Sequence, residues 1–186
     1  SSAMSSGRLF LVIISGFVGI LFVMLILLYA GYYKFRQSAG NLIRLAYYDQ
    51  VTGAKNTSGF DEEFHKFLRK NQRYSVAALN IHNFKGVNDL FGKNSGNDVL
   101  CFLKQTIEKD LKEGEFFCRD SADLFYMLLL DYDEKIITER TRNIIQLVSS
   151  ASASFGEYSY EISIYSGIAI DGDREKALVA LQSIQN

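Results

Sequence analysis

The chain has no excess of charge of one sign, only two cysteines, and neither proline nor tryptophan. Its 20 Lys+Arg residues nearly balance 21 Asp+Glu, for a formal net charge of −1. This balance excludes the basic surface that bulk nucleic-acid binding requires. Cys101 and Cys118 are too few for the disulfide framework of a small secreted domain, and we expect free thiols in a reducing compartment. With 48% hydrophobic residues, the 186-residue chain is too apolar to be disordered.

Charge is also missing from one continuous stretch, because no charged residue lies between Leu9 and Tyr33. As a helix, these 25 residues span roughly 37 Å, enough to cross a hydrocarbon core of about 30 Å. We therefore predict a transmembrane helix over residues 9–33 and a helical connector over residues 34–46. More basic residues follow the span than precede it. This bias predicts a single-pass membrane protein with its globular part in the cytoplasm.

Residues 1–8 (SSAMSSGR) are interpreted as an N-terminal stub derived from an expression tag. The globular part, residues 47–186, alternates between helical and strand-like patterns. Helical spacing covers residues 60–68, 94–111, 133–149 and the chain from about residue 174. Strand-like runs cover residues 74–81, 115–119, 124–130, 158–165 and 167–170, the second and third forming a hairpin. This order predicts an α+β fold, an α/β sandwich with helices packed on one sheet.

Three polar clusters interrupt the apolar pattern of the globular part. They cover residues 80–89, after the first strand, residues 92–98, in a turn that opens a helix, and residues 119–123, in the hairpin. Each cluster alone is typical of ordinary turns, because Asn, Gly and Asp are common turn residues. Their order along the chain is more specific than any one of them.

Together with two further motifs, these clusters resemble the GGDEF domain of the diguanylate cyclase family, whose members condense two GTP molecules into cyclic di-GMP. The resemblance covers about residues 46–186. It includes the family's Asp-x-Leu-Thr-Gly motif at residues 49–60, and a later Gly-Ile-Ala at residues 167–169. The signature falls on Ser121-Ala122-Asp123-Leu124-Phe125. The resemblance implies a nucleotidyl-cyclase-like central mixed sheet flanked by helices, preceded here by the transmembrane helix. It also suggests that the sequence stops within the family's last helix.

The metal-binding acids of the family are only partly kept in this chain. The resemblance implies that two carboxylates hold magnesium ions over the triphosphate, since magnesium prefers anionic oxygen ligands. The first of these positions is Asn80, a neutral and weaker ligand. In the signature, Asp123 is retained, whereas the acid after it is Leu124. Asp123 is thus a vestigial metal ligand.

The nucleotide-binding positions also differ from the family. Ser121 and Ala122 stand in place of paired glycines, which let a backbone pass close to the nucleotide. The family's guanine contacts fall on Asn88, which matches, and on Asn97, which replaces a carboxylate. We interpret these four residues and Asn80 as a vestigial nucleotide site.

A vestigial inhibitory site is implied at Lys112 and Glu115, which occupy the positions of the family's product-binding Arg-x-x-Asp. Charge signs are kept, but lysine lacks the planar fork with which arginine grips guanine and phosphate. Arg119 keeps its family position and is open to a second interpretation, a surface ion-pair partner.

The leading hypothesis is a catalytically inactive GGDEF-like regulatory or interaction domain of a membrane-anchored bacterial cyclic-di-GMP signalling protein. It would act without a catalytic residue or cofactor. Its expected partner is a second copy in a homodimer or an adjoining signalling domain, such as an EAL phosphodiesterase domain that follows it. Two alternatives stay open: an active diguanylate cyclase, and a sensor that binds GTP without turnover. Magnesium and GTP, or cyclic di-GMP, are expected as ligands only if nucleotide binding is retained.

Overall fold

The computed structural model describes residues 2–70, 72–151 and 162–185, with side chains from residue 11 onward. It divides into two compact units, residues 1–44 and residues 45–186. The described residues of the first belong to the long helix α1, Ser2–Tyr47. By length and composition, its 37-residue part Leu11–Tyr47 could cross a membrane. Its apolar side chains between residues 11 and 33 are exposed, as lipid-facing side chains would be.

The second unit contains four helices and four strands among its described residues. The helices are α2 (Thr57–Leu68), α3 (Phe84–Asp110), α4 (Glu134–Ala151) and α5 (Arg174–Gln185). The strands are β1 (Ser75–Ile81), β2 (Phe116–Arg119), β3 (Leu124–Leu129) and β4 (Ile164–Ile170). The predicted α+β class is confirmed, and so is the hairpin, which is formed by β2 and β3.

The sheet has the strand order β2-β3-β1-β4, and every pairing among the described strands is antiparallel. We expected a mixed sheet. β1 and β2 run in the same direction, as do β3 and β4. β3 lies between the first two and β1 lies between the second two, so strands that could have formed parallel pairs are not neighbours.

β1 lies at the centre of the unit and is buried on both faces, as predicted from its nearly continuous apolar run. Ala77, Leu79 and Ile81 belong to a core cluster that includes side chains of α3 and α4. Val76 and Ala78 belong to a second cluster, with side chains of α2 and α5. The helices thus cover both faces of the sheet, and the polar end of β1 opens toward the loop before α3.

Two elements differ from the sequence prediction. The helix expected from residue 94 begins ten residues earlier at Phe84, after Asn83 (φ 50°), and is broken at Gly92, whose φ of 82° is non-helical. Glycine tolerates this backbone conformation because it has no Cβ. The last described strand runs without a break through Ser166, where we expected two strands. Residues 158–161 of the earlier expected strand lie outside the described residues.

Candidate functional site

A cavity of about 690 Å³ lies at the end of β1, where the three polar clusters meet. Most of the residues predicted for the nucleotide site line it, together with Asp123, whereas Ser121 is not among its described lining residues. The lining consists of Val51, Asn80, Ile81, Asn83, Phe84, Lys85, Asn88, Lys93, Asn97, Leu100, Arg119, Ala122 and Asp123.

The pairing of β1 with β3 brings Asn80 and Asp123 together. Asn80 is opposite Leu124 in the register, and the Ile81 N–H donates to the Asp123 carbonyl oxygen at 3.3 Å. Burial raises the pKa of the Asp123 carboxyl, and a hydrogen bond from Asn80 and the charge of Arg119 offset only part of this rise. Asp123 is thus a half-buried carboxyl that ionises less readily than an exposed aspartate.

Asn80 is also bonded to the last helix. Gln185 Nε2 donates to Asn80 Oδ1 at 2.8 Å. The family resemblance carried no role for Gln185, and no local pattern in the sequence could have found this contact. The oxygen that stands at the family's first metal-binding position is therefore engaged by a side chain of the protein.

The signature loop is held by Arg119, which is 7% exposed. Its Nε donates to the Ala122 carbonyl oxygen at 3.0 Å, and its Nη1 lies 2.8 Å from Asp49 Oδ1. Arg119 is therefore an ion-pair partner, as its second interpretation had it, but a buried one and not a surface one. Ala122 has a φ of 45°, the left-handed conformation that a glycine would adopt without strain.

Asp49 joins the first motif of the chain to this loop. Its Oδ1 accepts from the Thr52 N–H at 2.7 Å and from the Thr52 hydroxyl at 2.6 Å. Burial acts to raise the pKa of Asp49, but the hydrogen bonds from Thr52 and Arg119 outweigh it and hold the pKa below its ordinary value. Sequence reasoning noted Asp49 as a motif residue and missed this role, since its partner lies 70 residues away.

Asn88 and Asn97 lie on the two sides of the break in α3. A Cβ on Gly96 would overlap Asn88 Oδ1, so the glycine leaves the space in which that amide lies. Both amides border the cavity beside Lys85 and Lys93. The wall of the cavity thus combines amide donors and acceptors with two basic side chains.

Lys112 and Glu115 are both committed to contacts within the protein. Glu115 has a side chain with 0% exposure, and Arg140 approaches its Oε2 to 2.7 Å. Glu115 also accepts from the N–H groups of Lys112 and Leu130, at 2.8 and 3.0 Å. The Lys112 ammonium lies 2.9 Å from Asp131 Oδ2. The sequence prediction missed Arg140. This residue pairs with Glu115, the acid that the inhibitory-site interpretation assigned to ligand binding.

Magnesium as the family uses it does not fit these residues. Among its described lining residues the cavity offers one carboxylate, Asp123, with a raised pKa, next to the amide of Asn80 and followed in the chain by the apolar Leu124. Among the residues that the structure describes, no three His, Cys, Asp or Glu side chains form a group that could hold a metal ion. The donor set is therefore poorer in anionic oxygen than magnesium prefers.

The sequence matches the family model described as diguanylate cyclase, GGDEF domain, over residues 46–184. It is 25% identical over 128 residues to the cyclic di-GMP phosphodiesterase PdeB of Shewanella oneidensis, which covers 69% of this chain and 15% of that protein. It is 32% identical over 91 residues to the diguanylate cyclase DgcM of Escherichia coli, which covers 45% of this chain and 22% of that protein. The chain thus corresponds to a small part of each relative.

Solved structures share the fold. The coiled coil and GGDEF domain of DgcB from Caulobacter crescentus, in complex with c-di-GMP, superposes with a TM-score of 0.71 at 24% identity, over 84% of this chain and 89% of that one. The S helix-GGDEF-EAL part of LapD from Vibrio cholerae, bound to c-di-GMP, has a TM-score of 0.64 at 17% identity, over 81% of this chain and 36% of that one. Sequence and fold agree, and the chain belongs to the GGDEF domain family.

Proposed function

We propose that this chain is a membrane-anchored GGDEF domain that lacks cyclase activity and acts as a regulatory or interaction module in cyclic-di-GMP signalling. The observation that carries the proposal is the state of Asn80 and Asp123. One is a neutral amide whose oxygen is bonded to Gln185, and the other is a carboxyl whose pKa is raised.

Phosphoryl transfer from a triphosphate requires the neutralisation of charge that develops on the phosphate oxygens, and metal ions held by carboxylates supply it in this type of chemistry. Leu124 can neither bind a metal nor accept a proton. Asn80 and Leu124 both stand where the family has an acid, while the fold is intact. This combination supports a domain with a purpose other than turnover.

The relatives support a signalling context. Their names include both cyclic di-GMP phosphodiesterases and diguanylate cyclases, and each is several times longer than the part that this chain matches. We therefore propose that the domain works beside a further signalling domain, such as an EAL phosphodiesterase domain, or as a homodimer. The exposed apolar side chains of α1 support attachment to the inner membrane.

The test uses the full chain in detergent micelles with GTP and either magnesium or manganese, and measures cyclic di-GMP by chromatography. We expect no product above that of a protein-free control. A matched variant, Asn80→Asp with Leu124→Glu, restores both acids and shows whether these two positions limit activity. Turnover by the unaltered chain at a rate near that of an active diguanylate cyclase assayed alongside would favour the active-cyclase alternative and overturn the proposal.

A second candidate is a sensor that binds GTP without turnover. The cavity favours it, since the amides of Asn88 and Asn97 can pair with a base edge while Lys85 and Lys93 attract phosphates. Calorimetric titration of the full chain with GTP tests this function. Heat that saturates and disappears in Lys85→Ala with Lys93→Ala supports the sensor, and no heat at millimolar GTP excludes it.

A further inference from the structure

The end of α5 is joined to the cavity by a side-chain hydrogen bond. Gln185 Nε2 donates to Asn80 Oδ1 at 2.8 Å, and Asn80 lines the cavity together with Asp123. An amide oxygen accepts and an amide NH₂ group donates, so Gln185 engages the acceptor end of Asn80. We name this contact the Gln185–Asn80 bond.

The body of α5 is fixed on the sheet before this contact. Ala177 and Leu181 are buried. A Cβ on Gly167 of β4 would overlap the Ala177 carbonyl oxygen and the Leu181 nitrogen, so helix and strand touch backbone to backbone there. The side chains of residues 182–185 are exposed. The C-terminal turn of α5 therefore extends from a rigid anchor and reaches the cavity through Gln185.

We propose that the Gln185–Asn80 bond couples the cavity to the C-terminal turn of α5, so that a group which engages Asn80 in the cavity loosens this turn. A donor or cation that takes Asn80 Oδ1 competes with Gln185 directly. By linkage, a looser turn also favours such a ligand. The inference rests on the second candidate function only in treating the cavity as a ligand site.

The experiment needs no ligand, since a substitution at Asn80 acts in its place. Hydrogen exchange of the full chain in detergent micelles is followed at the backbone amides of residues 182–185. A hydrogen bond of ordinary strength predicts roughly three- to tenfold faster exchange in Gln185→Ala and in Asn80→Ala.

Three comparisons separate coupling from general loosening. The double variant Asn80→Ala with Gln185→Ala should exchange no faster than either single variant, because both remove the same bond. Asn80→Asp keeps an acceptor oxygen and should retain most of the protection. Lys93→Ala, on another part of the cavity wall, should leave these amides unchanged.

Exchange within twofold of the unaltered chain in both single alanine variants would overturn the coupling, as would additive acceleration in the double variant. An Asn80→Asp variant as unprotected as Asn80→Ala would also overturn it. The cyclase assay is independent: turnover would overturn the proposed function and leave the exchange result in force.

Discussion

Arg119 Nη1 lies 2.8 Å from Asp49 Oδ1, and this contact joins the start of the globular unit to the hairpin loop beside the cavity. The guanidinium is largely buried and also donates to the Ala122 carbonyl oxygen. One ion pair thus holds the loop in which the family keeps its signature, although this chain has changed most of that signature.

Removal of the acid in this pair should destabilise the globular unit. In Asp49→Ala, the buried Arg119 loses its counter-charge, and the Thr52 groups lose their acceptor. We expect a loss of roughly 2–4 kcal/mol in the free energy of unfolding. Denaturant titration of the full chain in micelles, followed by near-ultraviolet circular dichroism, measures it.

The control for this variant is Arg73→Ala, which removes an exposed ion pair with Asp171. We expect its midpoint to match that of the unaltered chain, since exposed pairs contribute little. Equal midpoints for Asp49→Ala and Arg73→Ala would show that Arg119 finds another partner.

Acid should weaken the unit through Asp49 and Glu115. Both carboxyls have pKa values held below their ordinary 3.8 and 4.5, because hydrogen bonds outweigh the effect of burial. Asp49 accepts these bonds from Thr52 and Arg119. Glu115 accepts them from Arg140 and two backbone N–H groups. Their contribution to stability is complete above the ordinary values and is lost as the pH falls through the lowered ones. Unfolding midpoints measured across this acid range should fall steadily.

Glu115→Gln provides the comparison for the acid effect. It keeps the size of the side chain and removes the charge that faces Arg140, so the variant should be less stable at neutral pH. Its stability should also depend less steeply on acid. A variant with the same acid slope as the unaltered chain would mean that Glu115 does not carry the effect.

Asp123 should behave in the opposite way. Its pKa is raised, chiefly by burial, so its ionisation in the folded protein costs stability at neutral pH, and this cost is relieved as the pH falls through the raised value. Asp123→Asn should therefore raise the unfolding midpoint at neutral pH, with no difference from the unaltered chain in strong acid. Asp89→Asn, at an exposed position, is the matched control and should change neither. A lower midpoint for Asp123→Asn at neutral pH would contradict the prediction.

Ala122→Gly should stabilise the signature loop. Ala122 adopts a φ of 45°, which costs about 1–2 kcal/mol for a residue with a Cβ. Part of the gain is lost to the larger freedom of glycine in the unfolded chain, so we expect about 0.5–1 kcal/mol in the free energy of unfolding. Ala180→Gly inside α5 should instead cost about 0.5–1 kcal/mol. Losses in both variants would mean that the loop carries no strain at Ala122.

Patterns that repeat over a few residues were sufficient for much of the fold. The apolar run of β1 predicted a central buried strand, and the turn residues between β2 and β3 predicted their hairpin. The start of α3 could not be predicted this way, because a left-handed Asn83 and a break at Gly92 depend on how the chain leaves the end of β1.

The sequence by itself determined the uncharged N-terminal run, the α+β class, the family motifs and the cluster of replaced acids at Asn80 and Leu124. The apolar run and the fold class follow from composition and periodicity, which are local properties, whereas the motifs and the replaced acids follow from the resemblance to the GGDEF family. Only the tertiary structure decided the partners of the polar side chains. Arg119 with Asp49, Arg140 with Glu115 and Gln185 with Asn80 are separated by 70, 25 and 105 residues. Such pairs form because buried charges and amides must be satisfied by whatever the fold brings near them, and that neighbour is set by strand register and helix packing.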